Sequence, residues 1–179
     1  MKVYVASSWR NPIQPHVVSL LRQEGFEVYD FRDPKNDHGA FRWSDLGVER
    51  PEDWSPERCI EFLSHPRAEE GFRQDFDHML WADSCVLVLP AGRSANLEAG
   101  WFVGAGKPLV VLKDPGVPDL MYKMAARVVP SIADIPGALR ATLRAEEPPC
   151  GDIRPHPAHD SPPRQHPDDY GWDWCNGVD

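Results

Sequence analysis

Residues 85–112 read CVLVLPAGRSANLEAGWFVGAGKPLVVL, and this stretch decides the architecture. Cys85–Leu89 is a short apolar run bounded by Pro90, the pattern of a buried strand. Cys85 reads there as a small core residue. The loop Ala91-Gly92-Arg93-Ser94 follows, leading into a helix expected from about Asn96 to Ala105 and ended by Gly106. Leu109–Leu112 is the next strand. Strand, helix and strand in so short a span imply parallel pairing with the helix laid on the sheet.

The rest of the chain repeats the unit. Lys2–Ala6 reads as a strand, followed by the polar turn Ser7-Ser8-Trp9-Arg10-Asn11. Pro15 opens a helix whose apolar face is Val17, Val18, Leu20 and Leu21, and Gly25 closes it. Phe26–Tyr29 is a second strand, ending at Asp30. Residues 31–66 form a Trp- and Pro-rich excursion holding Trp43, Trp54 and a short helix started by Ser55-Pro56. A helix is predicted from about Arg67 to Trp81, with Phe72, Phe76, Met79 and Leu80 as its apolar stripe. Beyond Leu112 come a short helix near Asp119–Met124, a strand at Arg127–Val129 and a helix from Ser131 to Arg144, where Ser131 and Asp134 resemble a capping box. The expected fold is α/β: a flavodoxin-like, doubly wound, five-stranded parallel sheet with helices on both faces, plus an irregular C-terminal tail. Ligands of such sheets bind beyond the carboxyl ends of the strands. Ser7–Asn11, Asp30–Pro34 and Pro90–Glu98 should therefore converge on one crevice.

The chain has 179 residues and a formal net charge of −9. The length suits one domain, expected over residues 1–146. No apolar run approaches the roughly 20 residues that cross a bilayer, and no signal-peptide core follows Met1, so a cytoplasmic protein that binds no membrane is expected. The acidic balance argues against nucleic-acid binding, which needs clustered Lys and Arg. Neither GxGxxG nor GxxxxGK[ST] occurs, which removes the usual support for dinucleotide and P-loop chemistry. Residues 147–179 are crowded with Pro and Asp and almost free of bulky aliphatics, the composition of an appendage. Cys150, His156, His159, His166 and Cys175 match no compact zinc spacing, so no metal is expected, nor any cofactor. Tyr170, Trp172 and Trp174 could dock the tail on the domain or on a neighbouring subunit.

Two carboxylates stand out. Glu98 falls in the first turn of its expected helix, where it either complements the helix N-terminus or faces the crevice. Asp75 flanks the apolar stripe of the preceding helix, either as an exposed residue paired with Arg73 or His78 or as a group in a polar cavity. Two carboxylates on one crevice are what glycosyl transfer through an oxocarbenium-like transition state requires.

Three motifs then carry a family resemblance over roughly residues 2–145: Val3-Tyr4-Val5-Ala6-Ser7-Ser8-Trp9-Arg10; Gln74-Asp75 with Ala82-Asp83; and Leu97-Glu98-Ala99-Gly100 running into Gly106-Lys107. Together they resemble the nucleoside 2-deoxyribosyltransferase superfamily, and especially its 2′-deoxynucleoside 5′-phosphate N-hydrolase branch. The resemblance implies an enzyme that cleaves or exchanges the N-glycosidic bond of a nucleoside or nucleoside monophosphate. It implies Glu98 as the nucleophile and Asp75 as the acid that assists departure of the base. It also implies a substrate-binding set of Tyr4, Ser7, Ser8, Arg10, Arg93, Ser94 and Asn96, with Arg10 and Arg93 suited to a phosphate. The expected partner is a small nucleoside or nucleotide, and a homodimer or higher homo-oligomer is expected, with Trp81, Trp101 and Phe102 at its interface or in the core. The loop before Glu98 departs from the branch's glycine-rich pattern, with Arg93, Ala95 and Asn96 intervening. The excursion is also longer than in that branch, and its Phe41-Arg42-Trp43 could stack on a base, form a lid or pack as a satellite cluster. Two other readings stay open: a TIR-like NAD glycohydrolase, and a non-catalytic nucleotide-binding module in which Glu98 only caps its helix.

Overall fold

The computed structural model describes residues 1–34, 39–47 and 53–145. The chain divides into the units Met1–Glu147 and Pro148–Asp179, and the described residues all lie in the first. The metal and docking readings of the tail fall outside the described residues.

Five strands, β1 (Lys2–Ser7), β2 (Glu27–Tyr29), β3 (Ser84–Val88), β4 (Leu109–Leu112) and β5 (Arg127–Val129), form one sheet in the order β2-β1-β3-β4-β5. All four pairings are parallel, so the flavodoxin-like doubly wound arrangement is the one observed. β3 and β4 are buried throughout and β1 over its four central residues, as expected of parallel strands covered on both sides.

Side chains alternate across the strands, so each face gathers its own core. On one face Val3, Val5, Val86, Val88, Val110 and Leu112 meet Val17, Val18 and Leu21 of α1 (Gln14–Gln23) and Ile135 and Leu139 of α5 (Ile135–Ala145). On the other, Tyr4, Ala6, Cys85, Leu87 and Val111 meet Met79 of α3 (Pro66–Trp81) and Ala95, Ala99 and Phe102 of α4 (Arg93–Gly104). The first face is mainly apolar, with Ser84, Gln14 and Thr142 as its buried polar side chains. The second carries tyrosines and will carry the site.

Three expectations are corrected here. In α3 only half of the apolar stripe is buried: Met79 enters the core and Phe76 packs against it, but Phe72 is 61% and Leu80 47% exposed, and Ala68 and Gly71 complete the buried side. Small side chains let the helix approach its neighbours closely, and that choice turns Asp75, at the same helical spacing, inward. Helix α4 begins at Arg93, three residues earlier than expected, with Gly92 as N-cap and the Asn96 amide donating back to the Gly92 carbonyl at 2.8 Å. Glu98 therefore lies in the second turn, beyond the reach of the open N–H groups. The expected helix from Ser131 opens as a 3-10 turn at Ile132–Asp134, with the Ser131 hydroxyl accepting from the Ala133 N–H, before α5 starts. The remaining helices behave as read: Ser55 caps α2 (Pro56–Leu63), Gly25 (φ +82°) follows α1 and Gly106 (φ +72°) follows α4. Leu120–Met124 is a 3-10 turn capped by Asp119.

Three polar side chains tie the loops at the strand ends. The buried Asn11 donates to the carbonyls of Val88 (3.1 Å) and Pro90 (3.2 Å) and accepts from the Ile13 N–H at 2.9 Å. Arg32 donates to the carbonyls of Ser8, Trp9 and Asn11 at 2.8–2.9 Å. Lys107 closes α3, its ammonium reaching the carbonyls of Met79, Leu80 and Ala82. The three loops expected to converge are thereby held together. Asn11→Ala should cost about 2–3 kcal/mol, because it strips partners from several buried backbone groups at once; thermal or urea unfolding of the variant measures this, and a loss under about 0.5 kcal/mol would show that the clamp is dispensable.

Candidate active site

Register brings the site together. Tyr4 on β1 lies directly beside Tyr29 on β2, both on the face covered by α3 and α4, with ring centroids 5.3 Å apart. The Tyr29 hydroxyl donates to Asp75 Oδ1 at 2.6 Å. The Tyr4 hydroxyl is close enough to the Glu98 carboxylate to favour its ionised form. Each carboxylate thus has a tyrosine of the sheet beside it. Phe102 packs on Tyr4 at 5.6 Å, and the His78 ring stacks on Tyr29 at 3.8 Å and 15°.

Asp75 and Glu98 both open onto a cavity of about 550 Å³. Its walls are Phe41, Trp43, Phe72, Phe76 and Trp101, with Ser94 and Leu97 on the α4 side. A volume of this size suits a small organic ligand. Glu69 is its third acidic lining residue, and no Lys or Arg lines it among the described residues.

Burial raises the pKa of both carboxyl groups. Glu98 moves from its ordinary 4.5 to about 7, first by desolvation and then by the charge of Asp75, against the stabilising hydrogen bond from Tyr4. Asp75 is raised by desolvation, opposed by the Tyr29 hydrogen bond and the nearby His78. Ionised Asp75 thus opposes the ionisation of Glu98, and the pair keeps one proton, on Glu98, up to about neutral pH, an arrangement suited to an acid–base or nucleophile–acid pair.

Of the residues read from the sequence, Asp75, Glu98 and Ser94 line the cavity, and Tyr4 supports Glu98 from the sheet. Five others stand apart from the cavity wall. Ser7 donates to the Val88 carbonyl at 2.9 Å, Ser8 accepts from the Arg10 N–H at 3.2 Å, and Asn96 caps its own helix. Arg10 and Arg93 are exposed. Phe102 fills the core, whereas Trp101 lines the cavity. Sequence reasoning missed Tyr29, whose role follows only from the β1–β2 register, and Gly71, whose closeness to Phe41 depends on the path of the excursion.

No protein-family model and no curated protein sequence matches the chain. Among solved structures it resembles a 2-deoxyribosyltransferase from the psychrotolerant bacterium Bacillus psychrosaccharolyticus, with TM-score 0.54 and 22% identity over 80% of this chain and 96% of that one. It also matches a conserved protein from Enterococcus faecalis V583 (TM-score 0.48, 16% identity, 79% of this chain and 98% of that one). A third match is the Clostridium botulinum CMP N-glycosidase BcmB (TM-score 0.42, 15% identity, 78% and 99%). Identity this low speaks to the fold alone, and the likeness to the first of these structures agrees with the α/β architecture of this chain.

Proposed function

We propose that the protein is a nucleoside-processing enzyme that cleaves or exchanges an N-glycosidic bond, with Glu98 as nucleophile and Asp75 as acid. The observation that carries this reading is the pair of half-buried carboxylates, one from α3 and one from α4, opening onto a single aromatic-walled cavity. In the first step a Glu98 oxygen bonds to the anomeric carbon as the bond from that carbon to the base nitrogen breaks. The departing base takes the proton of Asp75, leaving a glycosyl ester and an Asp75 carboxylate. In the second step Asp75 accepts a proton from water or from an incoming base, which attacks the same carbon and frees Glu98. In the empty site the charge of Asp75 keeps the pair's proton on Glu98; the reactive form is the singly protonated pair in which that proton has passed to Asp75.

A neutral nucleoside fits the lining better than its 5′-monophosphate. Glu69, Asp75 and Glu98 would repel a phosphate, and the two arginines read as phosphate ligands are exposed and away from the wall. A 2′-deoxynucleoside should accordingly be cleaved at least tenfold more efficiently than its monophosphate, with Arg93→Ala changing both by less than about threefold. Paired kcat/KM measurements decide this, and a preference for the monophosphate that Arg93→Ala removes would restore the phosphate site.

Glu98→Gln should abolish turnover, since an amide cannot form the ester; residual activity above about a tenth of wild type would rule out the nucleophile. The same variant tests the ionisation of Glu98 through stability. With the folded pKa near 7 and the ordinary value 4.5, the folded state binds more protons than the unfolded state between them. Wild-type stability therefore falls as pH rises through that window, by up to about 3 kcal/mol, while the Gln variant escapes the loss. Melting curves at pH 4.5 and pH 8 should show the variant gaining on wild type at the higher pH, and a constant gap would mean Glu98 is not raised.

Asp75→Asn should slow base departure by about 10²- to 10⁴-fold, and least for bases that leave without protonation. It should also remove the alkaline limb of the kcat/KM profile, which lies near pH 7 where the pair loses its last proton, and leave a single acid limb below pH 7, because the neighbouring charge that raises Glu98 is gone. Equal losses for good and poor leaving groups would exclude the acid role.

A further inference from the structure

The excursion contributes two aromatic side chains to the wall of the cavity, and its backbone explains which two. Arg42 is extended, with φ −135° and ψ 142°, so Phe41 and Trp43 project to one side and Arg42 to the other. Phe41 and Trp43 line the cavity, while the Arg42 guanidinium lies 4.5 Å from the centre of the Trp9 ring. The Arg42 N–H donates to Asp45 at 2.9 Å, which locks the entry to the 3-10 turn at Trp43–Leu46. Behind Trp43 runs a ladder of rings: Trp43 to Trp54 at 5.8 Å, Trp54 to Phe62 at 4.4 Å and Phe62 to His65 at 6.2 Å. This ladder braces Trp43 from outside and leaves the cavity side of the pair open.

Gly71 supplies the second observation. It sits inside α3, where glycine costs about 1 kcal/mol against alanine. A Cβ there would lie 2.7 Å from Phe41 Cβ and 2.9 Å from Phe41 Cγ, too close for either to stay. The bare backbone lets Phe41 press onto α3 one helical turn before Asp75. A second, smaller pocket, lined by Trp9, Tyr29, Phe41, Gly71 and Asp75 among others, meets Asp75 from the far side of that contact. The aromatic pair is thus on the α3 side of the cavity, next to the acid, and Ser94 and Leu97 are on the α4 side, next to Glu98.

We propose that Phe41 and Trp43 form the platform on which the nucleobase lies, with Gly71 as the residue that sets its distance from Asp75. This rests on the glycosidase reading, since it takes Asp75 as the group that the leaving base must reach. Stacking tolerates any base, so the platform supplies affinity and orientation, and it positions the leaving nitrogen toward Asp75.

The test uses the full chain and two kinds of readout. Equilibrium binding of adenine and cytosine, followed by tryptophan fluorescence or calorimetry, reads the platform without catalysis. Steady-state cleavage of 2′-deoxyadenosine and 2′-deoxycytidine reads KM and kcat. Trp43→Ala and Phe41→Ala should each weaken base binding about tenfold or more and raise KM, with kcat changing less. Gly71→Ala favours the helix and displaces Phe41, so it should keep a wild-type circular-dichroism spectrum while raising KM. Base binding within twofold of wild type in both aromatic variants would overturn the platform, as would a wild-type protein that binds neither base at millimolar concentration. A fall in kcat at unchanged KM would overturn it too. If wild type binds the bases, loses them in Trp43→Ala and yet cleaves no nucleoside, the platform stands and the glycosidase reading fails.

Discussion

Two half-buried carboxylates facing one cavity from neighbouring helices are the constraint around which this molecule is arranged. A partly desolvated charge is costly, so each needs a polar neighbour, and the sheet beneath supplies one from each of two adjacent strands. Tyr29 serves Asp75 and Tyr4 serves Glu98. The register that pairs Tyr4 with Tyr29 thereby sets the lateral distance between the two acids. Neither tyrosine can move freely, because Phe102 packs on one and His78 stacks on the other. The two raised pKa values follow from this geometry, since the polar neighbours do not offset desolvation at either group, to which the charge of Asp75 adds at Glu98.

The two faces of the sheet divide the labour. The face under α1 and α5 is filled by Val, Leu and Ile and contributes stability without chemistry. The face under α3 and α4 trades bulk for proximity: Ala68, Gly71, Ala95 and Ala99 are the side chains that let both helices sit close to their neighbours. That leaves large apolar side chains without a core to enter. Phe72 and Leu97 consequently line the cavity while 61% and 76% exposed, available to a ligand rather than spent on packing.

This division also explains what could be read from the sequence. The alternation of strands and helices was legible because strands buried on both faces are continuous apolar runs, as at Val86–Val88 and Val110–Leu112. Glu98 and Asp75 were legible as motif residues. The orientation of α3 was only partly so: Met79 and Phe76 of its stripe face the core, but periodicity rewards large apolar side chains, and Ala68 and Gly71 complete the buried side in place of Phe72 and Leu80. The true start of α4 was hidden because Arg93, Ser94 and Ala95 carry no breaker, and the N-cap is a glycine lacking a side-chain signal. Arg10 and Arg93 were legible as cations near the strand ends, while their exposure was not, because charge type is visible in sequence and direction is not. Asn11, Arg32 and Lys107 act through single side chains on carbonyls distant in sequence, contacts that no local pattern encodes.

An acidic protein with an acidic cavity is well matched to the proposed chemistry. As a glycosidic bond breaks heterolytically, positive charge grows on the sugar ring while negative charge grows on the base. Between a carboxylate and a protonated carboxyl, both charges meet their complement, and the stabilisation is small for the neutral ground state and large at the transition state. Burial amplifies that difference, because the same desolvation that raises Glu98 strengthens its attraction for a cation. A substrate carrying its own anion would partly cancel this gain: its charge would be repelled on entry and would hinder ionisation of Glu98. The electrostatics that burden the empty site with a shared proton are therefore the ones that favour the oxocarbenium-like state, and they do so best for a substrate that arrives uncharged.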